Sequence, residues 1–441
     1  MKKIAWLLAA AFASAPAIAV DLLHIYRQAV DNDPTFAAAQ GTLDAGREKM
    51  PQARAGLLPS LTMSGNTIWN DNEIKVPPTS VKARYNSNNY TVTLSQPLFR
   101  WQNWVQYGQS KLQVAQAEAQ FVQARQDLIL RVAQAYFDVL YAEENLLALQ
   151  ANKTAIAQQL ESAKKNFEVG TATITDTHEA QSRFDLALAQ EIAAESDLEV
   201  RLRTLESLIG KEPGPLARVR ADAILSPPQP ADMGKWVDAA EKDAISVQIQ
   251  QAAAEIADKE VDKQRAGHYP TLDAVANAGR SRAVTSGLPP VPLESDFNNI
   301  GLQLTVPLFQ GGYVSSKDRE AVALRAAAQS NLEAAKRASA LAARQYYLGV
   351  VNGLAQLKAL AAAKISSQSA LESNKLGYEV GVRINIDVLN AENQVYQTRR
   401  DYARAVLDTL LSQLKLKAAV GALGEDDLQQ ANALLDPATA K

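Results

Sequence analysis

The chain has 441 residues, with 45 lysines and arginines against 48 aspartates and glutamates, which gives a formal net charge of −3 at pH 7. It has no cysteine, so a disulfide framework and a lipid-modified N-terminal cysteine are excluded. No basic stripe is set apart from acidic neighbours, which argues against a nucleic-acid partner.

The N-terminus has the pattern of a secretory signal peptide, which we expect to comprise residues 1–19. Two lysines precede an apolar run over residues 4–15, and the small residues of Ala17-Ile18-Ala19 stand where a signal peptidase cleaves. This run is shorter than the roughly 20 residues of a spanning helix, and no later stretch approaches that length. Helical membrane spans are therefore not expected.

The chain repeats itself at a spacing of 210 or 211 positions. Its helical patterns, prolines and glycines return in the same order in both halves. We therefore expect two copies of one structural unit, residues 20–210 and 235–421. The proline-rich segment 211–234 joins the copies, and the tail 422–441 occupies the same place after the second copy.

Each repeat contains two segments with the period-two alternation of strands. They are expected at about 60–70 and 90–97 in the first repeat, and at about 271–280 and 299–307 in the second. A polar loop that contains a pair of prolines joins the two strands of each repeat, so each repeat is predicted to contain one hairpin.

Segment 102–169 contains no proline and has the four-three spacing of a coiled coil, broken only by Lys153. At 1.5 Å per residue, such a helix is about 100 Å long. The return arm, 176–209, is half as long. Each repeat is thus predicted to form a helical hairpin, with Gly170 or Gly381 at the helix-ending position that favours a positive φ.

Strands of about ten residues with one apolar face suit a transmembrane β-barrel, although soluble hairpins packed on the helices fit the same pattern. Four strands cannot close a barrel, because the smallest barrels have about eight. A dimer would supply eight strands, whose interior is filled by side chains, whereas a trimer would supply 12 and leave a lumen. On the barrel interpretation, a trimer is the smallest assembly that makes a conduit.

The alternation also assigns strand residues to the two faces of such a barrel. The residues expected to face lipid are Leu61, Met63, Val92, Leu94, Leu302 and Leu304. Those expected to face water are Thr91, Thr93, Asn299 and Gln303.

After residue 19, the whole chain resembles the TolC family of outer-membrane channel-tunnel proteins. The resemblance rests on the combination of LPSL, SQPLF, FEVGTATITD, PTLD, VPLFQGG and GYEVGVRINIDVLNAE. It implies a membrane α+β fold with a duplicated repeat. In this fold, three chains form a 12-stranded transmembrane β-barrel, four strands per chain, continuous with a long α-helical periplasmic barrel of coiled coils. A small equatorial domain is built from the inter-repeat and C-terminal segments.

The resemblance implies partners as well. They are two further copies of the chain in a homotrimer, outer-membrane lipid, a periplasmic adaptor, and an inner-membrane transporter of the ABC or RND type.

The resemblance further assigns roles to residues at the two hairpin tips. In the family, residues at these positions link the inner and outer coiled coils and hold the periplasmic entrance shut, which makes Thr175, Asp176, Tyr378 and Arg383 the expected latch. Arg383 carries five donors, and Thr175 and Asp176 supply acceptors on the neighbouring hairpin, with Tyr378 donating to Asp176. For Asp176 and Asp387 taken singly, the helix dipole is a sufficient explanation of an acidic residue.

The constriction of the entrance is expected at Asp387 and Asn390, and the adaptor is expected to dock at the tips around Gly170 and Gly381. Asn390 departs from the family pattern, in which a second aspartate often follows, and Lys165 stands where an uncharged polar residue is usual. We therefore expect the ring of charges at the entrance to be less negative.

No catalytic residue, cofactor or metal site is predicted. His24, His178 and His268 lie in unrelated elements, and the sequence has no P-loop, H-E-x-x-H or G-x-S-x-G motif. A cell-wall enzyme is therefore disfavoured.

The expected function is a passive exit duct in the cell outer membrane, extending into the periplasm. It would serve tripartite efflux, type I protein secretion, or both, and would be opened at its periplasmic end by adaptor and transporter. The alternative is a periplasmic coiled-coil adaptor (membrane fusion) protein without a pore.

Overall fold

The computed structural model describes residues 19–220, 223–284 and 291–436. The predicted signal peptide up to residue 18, the loop prolines Pro289 and Pro290, and the predicted tail from residue 437 lie outside the described residues. The chain divides into two compact units. The first comprises the described parts of Met1–Gln40, Phe121–Val247 and Lys336–Lys441, and the second comprises those of Gly41–Gln120 and Gln248–Ala335.

The two halves of the chain present their elements in the same order, short helices, a strand hairpin and a long helical hairpin. The first half contains α1 (Leu22–Asn32), α2 (Pro34–Arg47), α3 (Lys49–Ala55), β1 (Ser60–Val76), β2 (Thr79–Phe99), α4 (Trp101–Glu168), α5 (Ile174–Ile209) and β3 (Arg218–Val219). The second half contains α6 (Met233–Asp243), α7 (Ile245–Arg265), β4 (Thr271–Val284), β5 (Pro292–Thr305), α8 (Tyr313–Glu379), α9 (Asn385–Ala419), α10 (Glu425–Asn432) and β6 (Leu435–Asp436).

In the first unit, two aspartates set the bounds of α1. The Asp21 carboxylate accepts from the backbone N–H of His24 at 2.8 Å, which caps the start of the helix. Asp33 precedes Pro34 and accepts from the backbone N–H of Thr35 at 2.7 Å, so that α1 ends where α2 begins. The main core packs α1 against α4 and includes the buried residues Leu22, Ile25, Tyr26, Leu128, Val132 and Tyr136.

The inter-repeat and C-terminal segments meet in this unit. Strand β3 pairs antiparallel with β6, with Val219 opposite Leu435, and the Arg220 N–H donates to the Leu434 carbonyl at 2.9 Å. The buried hydroxyl of Tyr136 in α4 donates to the Ala217 carbonyl at 2.7 Å. That these segments form the small equatorial domain stays a prediction.

The second unit contains a four-stranded antiparallel sheet in the order β1-β2-β4-β5. Both hairpins extend beyond the predicted strands, since β1 reaches Val76 and β2 begins at Thr79, while β4 reaches Val284 and β5 begins at Pro292. The region predicted as a polar loop is thus part of the ladder. Side-chain hydrogen bonds such as Thr67 Oγ1 to Asn88 Oδ1 at 2.7 Å, and Asn70 Nδ2 to Ser87 Oγ at 3.0 Å, join the two strands there.

The register confirms the predicted division of strand side chains between two faces. One face carries a row across the four strands that consists of Leu61, Leu94, Ala276 and Ile300. Thr93, Asn277 and Asn299 form a row on the other face, where Thr93 donates to Asn277 at 2.7 Å. We call these the apolar face and the polar face. That the apolar face contacts lipid stays a prediction.

The long helices α4 and α8 contain 68 and 67 residues, close to the length predicted for 102–169. Their return arms α5 and α9 contain 36 and 35 residues. In the described part of the chain, no helix combines the length and the apolarity required to cross a membrane.

Candidate functional site at the hairpin tips

The first tip joins α4 to α5 through Gly170, which has a φ of 78° as predicted. The Thr171 N–H turns back to the Asn166 carbonyl at 2.8 Å and so satisfies the end of α4. Helix α5 then begins with a capping box. The Asp176 carboxylate accepts from the N–H of Thr173 at 2.9 Å, and the Asp176 N–H donates to the Thr173 hydroxyl at 3.3 Å. Within one chain, Asp176 therefore serves as a helix cap.

The second tip joins α8 to α9 through Gly381, with a φ of 77°. The N–H groups of Val382 and Arg383 donate to the Gly377 carbonyl at 2.9 and 3.0 Å. The N-cap residue of α9 is Ile384, whose side chain makes no capping hydrogen bond. Asp387 in the first turn of α9 is instead paired with Arg383 at 3.6 Å.

Gly377 leaves room for the side chain of Arg383 in this tip. A Cβ on Gly377 would lie 2.7 Å from Cγ of Arg383, so the aliphatic part of the arginine lies where a larger residue would have its side chain. The positions 211 residues earlier hold Asn166 and Ala172, the opposite combination of a large and a small residue. The arginine side chain is 59% exposed, and its contact with Asp387 is longer than a hydrogen bond.

Among the described residues, three side-chain hydrogen bonds connect the two hairpins near the tips, all in the first unit. The Asn166 amide donates to the Tyr378 hydroxyl at 3.2 Å, and Arg183 donates to the side-chain oxygen of Asn390, also at 3.2 Å. The Gln159 amide donates to the side-chain oxygen of Asn385.

The expected latch residues are only partly brought together in the single chain. Tyr378 was predicted to bond with Asp176, but within the chain its partner is Asn166, while Asp176 is occupied by Thr173. Thr175 is exposed. Arg383 pairs with Asp387, a contact that sequence reasoning did not predict. The proposed pairing of Arg383 with Thr175 and Asp176 of a neighbouring hairpin stays a prediction.

Sequence reasoning also missed two buried polar residues near the start of α9, Asn385 and Glu392, each only 3% exposed. One oxygen of Glu392 pairs with the Lys375 ammonium at 2.8 Å, while its other oxygen and the amide nitrogen of Asn385 are buried with no partner in the described chain. Both residues are in step with the buried Val388 and Val395. A polar residue at a position of α9 where the coiled-coil spacing would place an apolar one is therefore the sequence feature by which both could have been identified.

In the described ranges, no three His, Asp or Glu side chains converge in a way that suits a metal ion. The tips offer exposed apolar residues, helix caps and one arginine–aspartate pair. Exposed apolar side chains beside charged groups are suited to contact with another protein.

Comparison with known proteins identifies the family. A family model described as "Outer membrane efflux protein" matches residues 25–211 and 236–422. The chain is 33% identical over 417 residues to "Outer membrane protein TolC" of Vibrio cholerae serotype O1, a match that covers 94% of each protein. It is 31% identical over 423 residues to "Alkaline protease secretion protein AprF" of Pseudomonas aeruginosa, covering 94% of this chain and 87% of that protein.

Solved structures share the fold. The crystal structure of the Campylobacter jejuni CmeC outer membrane channel is similar with a TM-score of 0.80 at 18% identity, covering 94% of this chain and 90% of that one. The outer membrane protein VceC of Vibrio cholerae is similar with a TM-score of 0.76 at 19% identity, covering 91% and 96%. The resemblance drawn from the sequence is confirmed, and the chain belongs to the outer membrane efflux protein family.

Proposed function

We propose that the protein is the outer-membrane exit duct of a tripartite efflux or type I secretion system. Its relatives are named outer membrane, efflux and secretion proteins, and none of them favours the alternative of a periplasmic adaptor. The family is described as one of outer membrane efflux proteins, which supports a transport function. The observation that carries the proposal is the four-stranded sheet, because in the part of the chain that the structure describes its outer strands, β1 and β5, each have a neighbour on one side only.

The strand order supports closure with other copies. Because all neighbours in β1-β2-β4-β5 are antiparallel, β1 and β5 run in opposite directions. Strand β5 of one copy can therefore pair antiparallel with β1 of the next, and three copies give a uniform 12-stranded barrel with no free edge. The helices that follow the strands would then extend from the periplasmic side of the barrel, toward a periplasmic adaptor and an inner-membrane transporter.

Membrane fractionation, followed by measurement of the mass of the extracted protein, tests this function. The duct should partition into outer membranes and, once extracted, have the mass of three chains and conduct ions in a planar bilayer. A monodisperse soluble protein without detergent would support the adaptor instead. Because the chain has no cysteine, single cysteines introduced into β1 and β5 would form disulfides only between the two edges and would report their contact directly.

We further propose that the tips form the gate, with Gly170 and Gly381 presenting the surfaces on which the adaptor docks. The Arg383 fork is exposed and lacks a close acceptor in its own tip, so it can donate to Thr175 or Asp176 of an adjacent copy. One exposed pair contributes only about 0–1 kcal/mol. Three symmetric copies can bias a two-state equilibrium by a few kcal/mol, which a docking partner can overcome.

Replacement of the latch residues tests the gate. Arg383→Ser combined with Tyr378→Phe should raise single-channel conductance several-fold, because both proposed links of the second tip are removed in each copy. Trimer mass should not change, since the buried residues of the coiled-coil seam, such as Leu128 and Leu160, are untouched. Wild-type conductance in assembled trimers of the double variant would show that the entrance is held by other contacts.

A further inference from the structure

The charged residues of the sheet are distributed unequally between its faces. Strands β1, β2, β4 and β5 carry ten charged residues, and nine of them share the apolar face by the alternation and register of the strands. The exception is Asp273, which lies opposite Gln303 on the polar face and pairs with Arg100 at 2.7 Å. The nine residues are Asp71, Glu73, Lys75, Lys82, Arg84, Arg280, Arg282, Glu294 and Asp296, which we call the charged collar.

The charged collar begins where the apolar side chains end. The row that contains Leu94, Ala276 and Ile300 is wholly apolar. Four residues farther along the strands, the row that contains Tyr90 holds Arg280 and Asp296, and the other members of the collar lie at this row or closer to the hairpin turns. In the proposed duct the helices extend into the periplasm, so the turns, and the collar with them, lie at the outer surface of the membrane.

Contacts within the collar hold the arginines in place but leave donors available. Arg280 is bidentate to Asp296, at 2.5 and 2.9 Å, and lies 3.4 Å from Glu294. Arg282 reaches Glu294 only at 3.6 Å, beyond hydrogen-bond range. All of these side chains are exposed, and exposed ion pairs contribute little to stability. Stability of the hairpins therefore does not explain why the charges occupy one face.

A ligand that binds on the lipid side does explain why the charges share the apolar face. Charged side chains on the polar face would be solvated by the water of a lumen, whereas the collar adjoins the surface along which acyl chains would lie. A lipid whose chains pack on Ile300 and Leu302 would have its head group level with Arg280 and Arg282. Arginine forks match the oxygens of a phosphate group, and the collar has five cations against four carboxylates.

We propose that the charged collar binds the phosphate groups of a phosphorylated glycolipid in the outer leaflet of the outer membrane. This inference rests on the proposed function, because only a barrel in that membrane turns the apolar face toward lipid. Continuity with the apolar rows makes the ligand a lipid and not free phosphate. The carboxylates orient the arginine forks, and Tyr90 lies at the same level, as aromatic residues do at membrane interfaces.

Lipid analysis of the purified trimer tests the proposal. Trimers extracted in mild detergent from cells should carry phosphorylated glycolipid, measured by mass spectrometry after extraction. Arg280→Gln combined with Arg282→Gln should lower this content at least five-fold. A matched variant that removes two cations from α8, Lys317→Gln with Arg325→Gln, should retain the wild-type content. Arg280→Lys, which keeps the charge but not the fork, should have an intermediate content.

Reconstitution separates the sources of phosphate. Vesicles that contain lipopolysaccharide should raise the temperature at which the wild-type trimer dissociates by several degrees over phosphatidylcholine vesicles, and should have no such effect on the double arginine variant. Inorganic phosphate alone should have no effect on either protein. Equal lipid content in all variants, or equal protection by inorganic phosphate, overturns the proposal.

The same samples distinguish this inference from the proposed duct. If the double arginine variant is trimeric and conducts ions but keeps its lipid, the collar proposal fails and the duct stands. If the wild-type protein neither forms trimers nor conducts, the duct itself fails.

Discussion

Lys153 of α4 forms an ion pair with Glu191 of α5, and the positions 211 residues later, Lys364 and Tyr402, meet as a cation over an aromatic ring 5.4 Å from its centroid. Lys153 is the residue that interrupts the apolar seam in the sequence. The structure supplies the reason, since the Glu191 side chain is only 9% exposed and the lysine is its partner. The two hairpins therefore have a contact at the same position, an ion pair in the first and a cation–π contact in the second.

The first prediction concerns this pair. Glu191→Gln should lower the free energy of unfolding by about 2 kcal/mol, because the lysine loses a nearly buried acceptor but is itself able to turn toward water. Unfolding in denaturant followed by circular dichroism would measure the loss. Tyr402→Leu, the matched change in the second hairpin, should lower it by only about 0.5–1 kcal/mol. Equal losses would mean that the ion pair stabilises the first hairpin no more than the cation–π contact stabilises the second.

The second prediction uses the contact between Gly377 and Arg383. In Gly377→Ala the added methyl group would lie 2.7 Å from Cγ of Arg383, so the arginine must leave its place over α8. If Arg383 holds the gate, conductance should rise as it does when the arginine is removed. The helix itself should gain stability, by up to about 1 kcal/mol.

Gly108→Ala is the control for this change. It introduces the same methyl group into α4 at a site with no neighbour within 4 Å, and it should leave conductance unchanged. A Gly377→Ala channel with wild-type conductance would show that the position of Arg383 does not determine closure.

The third prediction concerns ion selectivity at the entrance. Because Arg383 and Asp387 are paired, the second tip of each copy brings one positive and one negative charge to the proposed ring. Asp387→Asn should shift the reversal potential in a salt gradient toward anion selectivity, and Arg383→Ser should shift it toward cations. Shifts in the same direction, or none, would place these residues away from the conduction path.

The sequence predicted those features that depend on local chemistry. Gly170 and Gly381 were expected to have positive φ, and they do, because the turn after each long helix requires it. The faces of the strands were also predictable, since alternation in an antiparallel ladder fixes them. The added length of β1 and β2 was not, because Asn and Asp are unfavourable in strands and signal a turn. In the structure, cross-strand pairs such as Asp71 with Arg84, at 3.1 Å, continue the ladder.

The contacts between the hairpins could not be predicted from one sequence. The choice of Asn166 over Asp176 as the partner of Tyr378 depends on how the two hairpins pack, and Asp176 is engaged by a local cap three residues away. Buried Asn385 and Glu392 were not predicted, because polar residues of an amphipathic helix ordinarily lie on its solvent face.

The fourth prediction concerns Asp33, which is 2% exposed and lies 2.6 Å from the guanidinium of Arg131. Burial alone would raise the pKa of Asp33, but hydrogen bonds from Thr35 and the charge of Arg131 outweigh it and hold the pKa below its ordinary value. A carboxylate with a lowered pKa stabilises the fold fully above its unfolded pKa of about 3.9. That contribution is lost as pH falls through the folded value.

Asp33→Asn should therefore lower the free energy of unfolding by about 1.5–3 kcal/mol at pH 7. The difference from the wild type should begin to shrink below about pH 4, where the carboxylate of the unfolded chain takes up a proton, and should be lost once the pH has fallen through the lowered pKa of the folded protein. Asp31→Asn, an exposed change in the last turn of α1, should have little effect at any pH. A difference that is constant down to acidic pH would indicate that the charge of Asp33 contributes nothing.

The last prediction tests which face of the sheet contacts lipid. Leu302 lies opposite Ala274 on the apolar face and is exposed in the single chain, whereas the next residue, Gln303, lies opposite Asp273 on the polar face. Leu302→Arg should destabilise the barrel by roughly 2–4 kcal/mol if the position is near the midplane of the bilayer, because a charge would enter hydrocarbon. Gln303→Arg places the same side chain in the proposed lumen, beside a carboxylate, and should be tolerated. The yield of trimer extracted from outer membranes, measured at equal expression, should fall for the first variant and not for the second. Equal yields would mean that the apolar face does not meet lipid, and the barrel assignment would have to be abandoned.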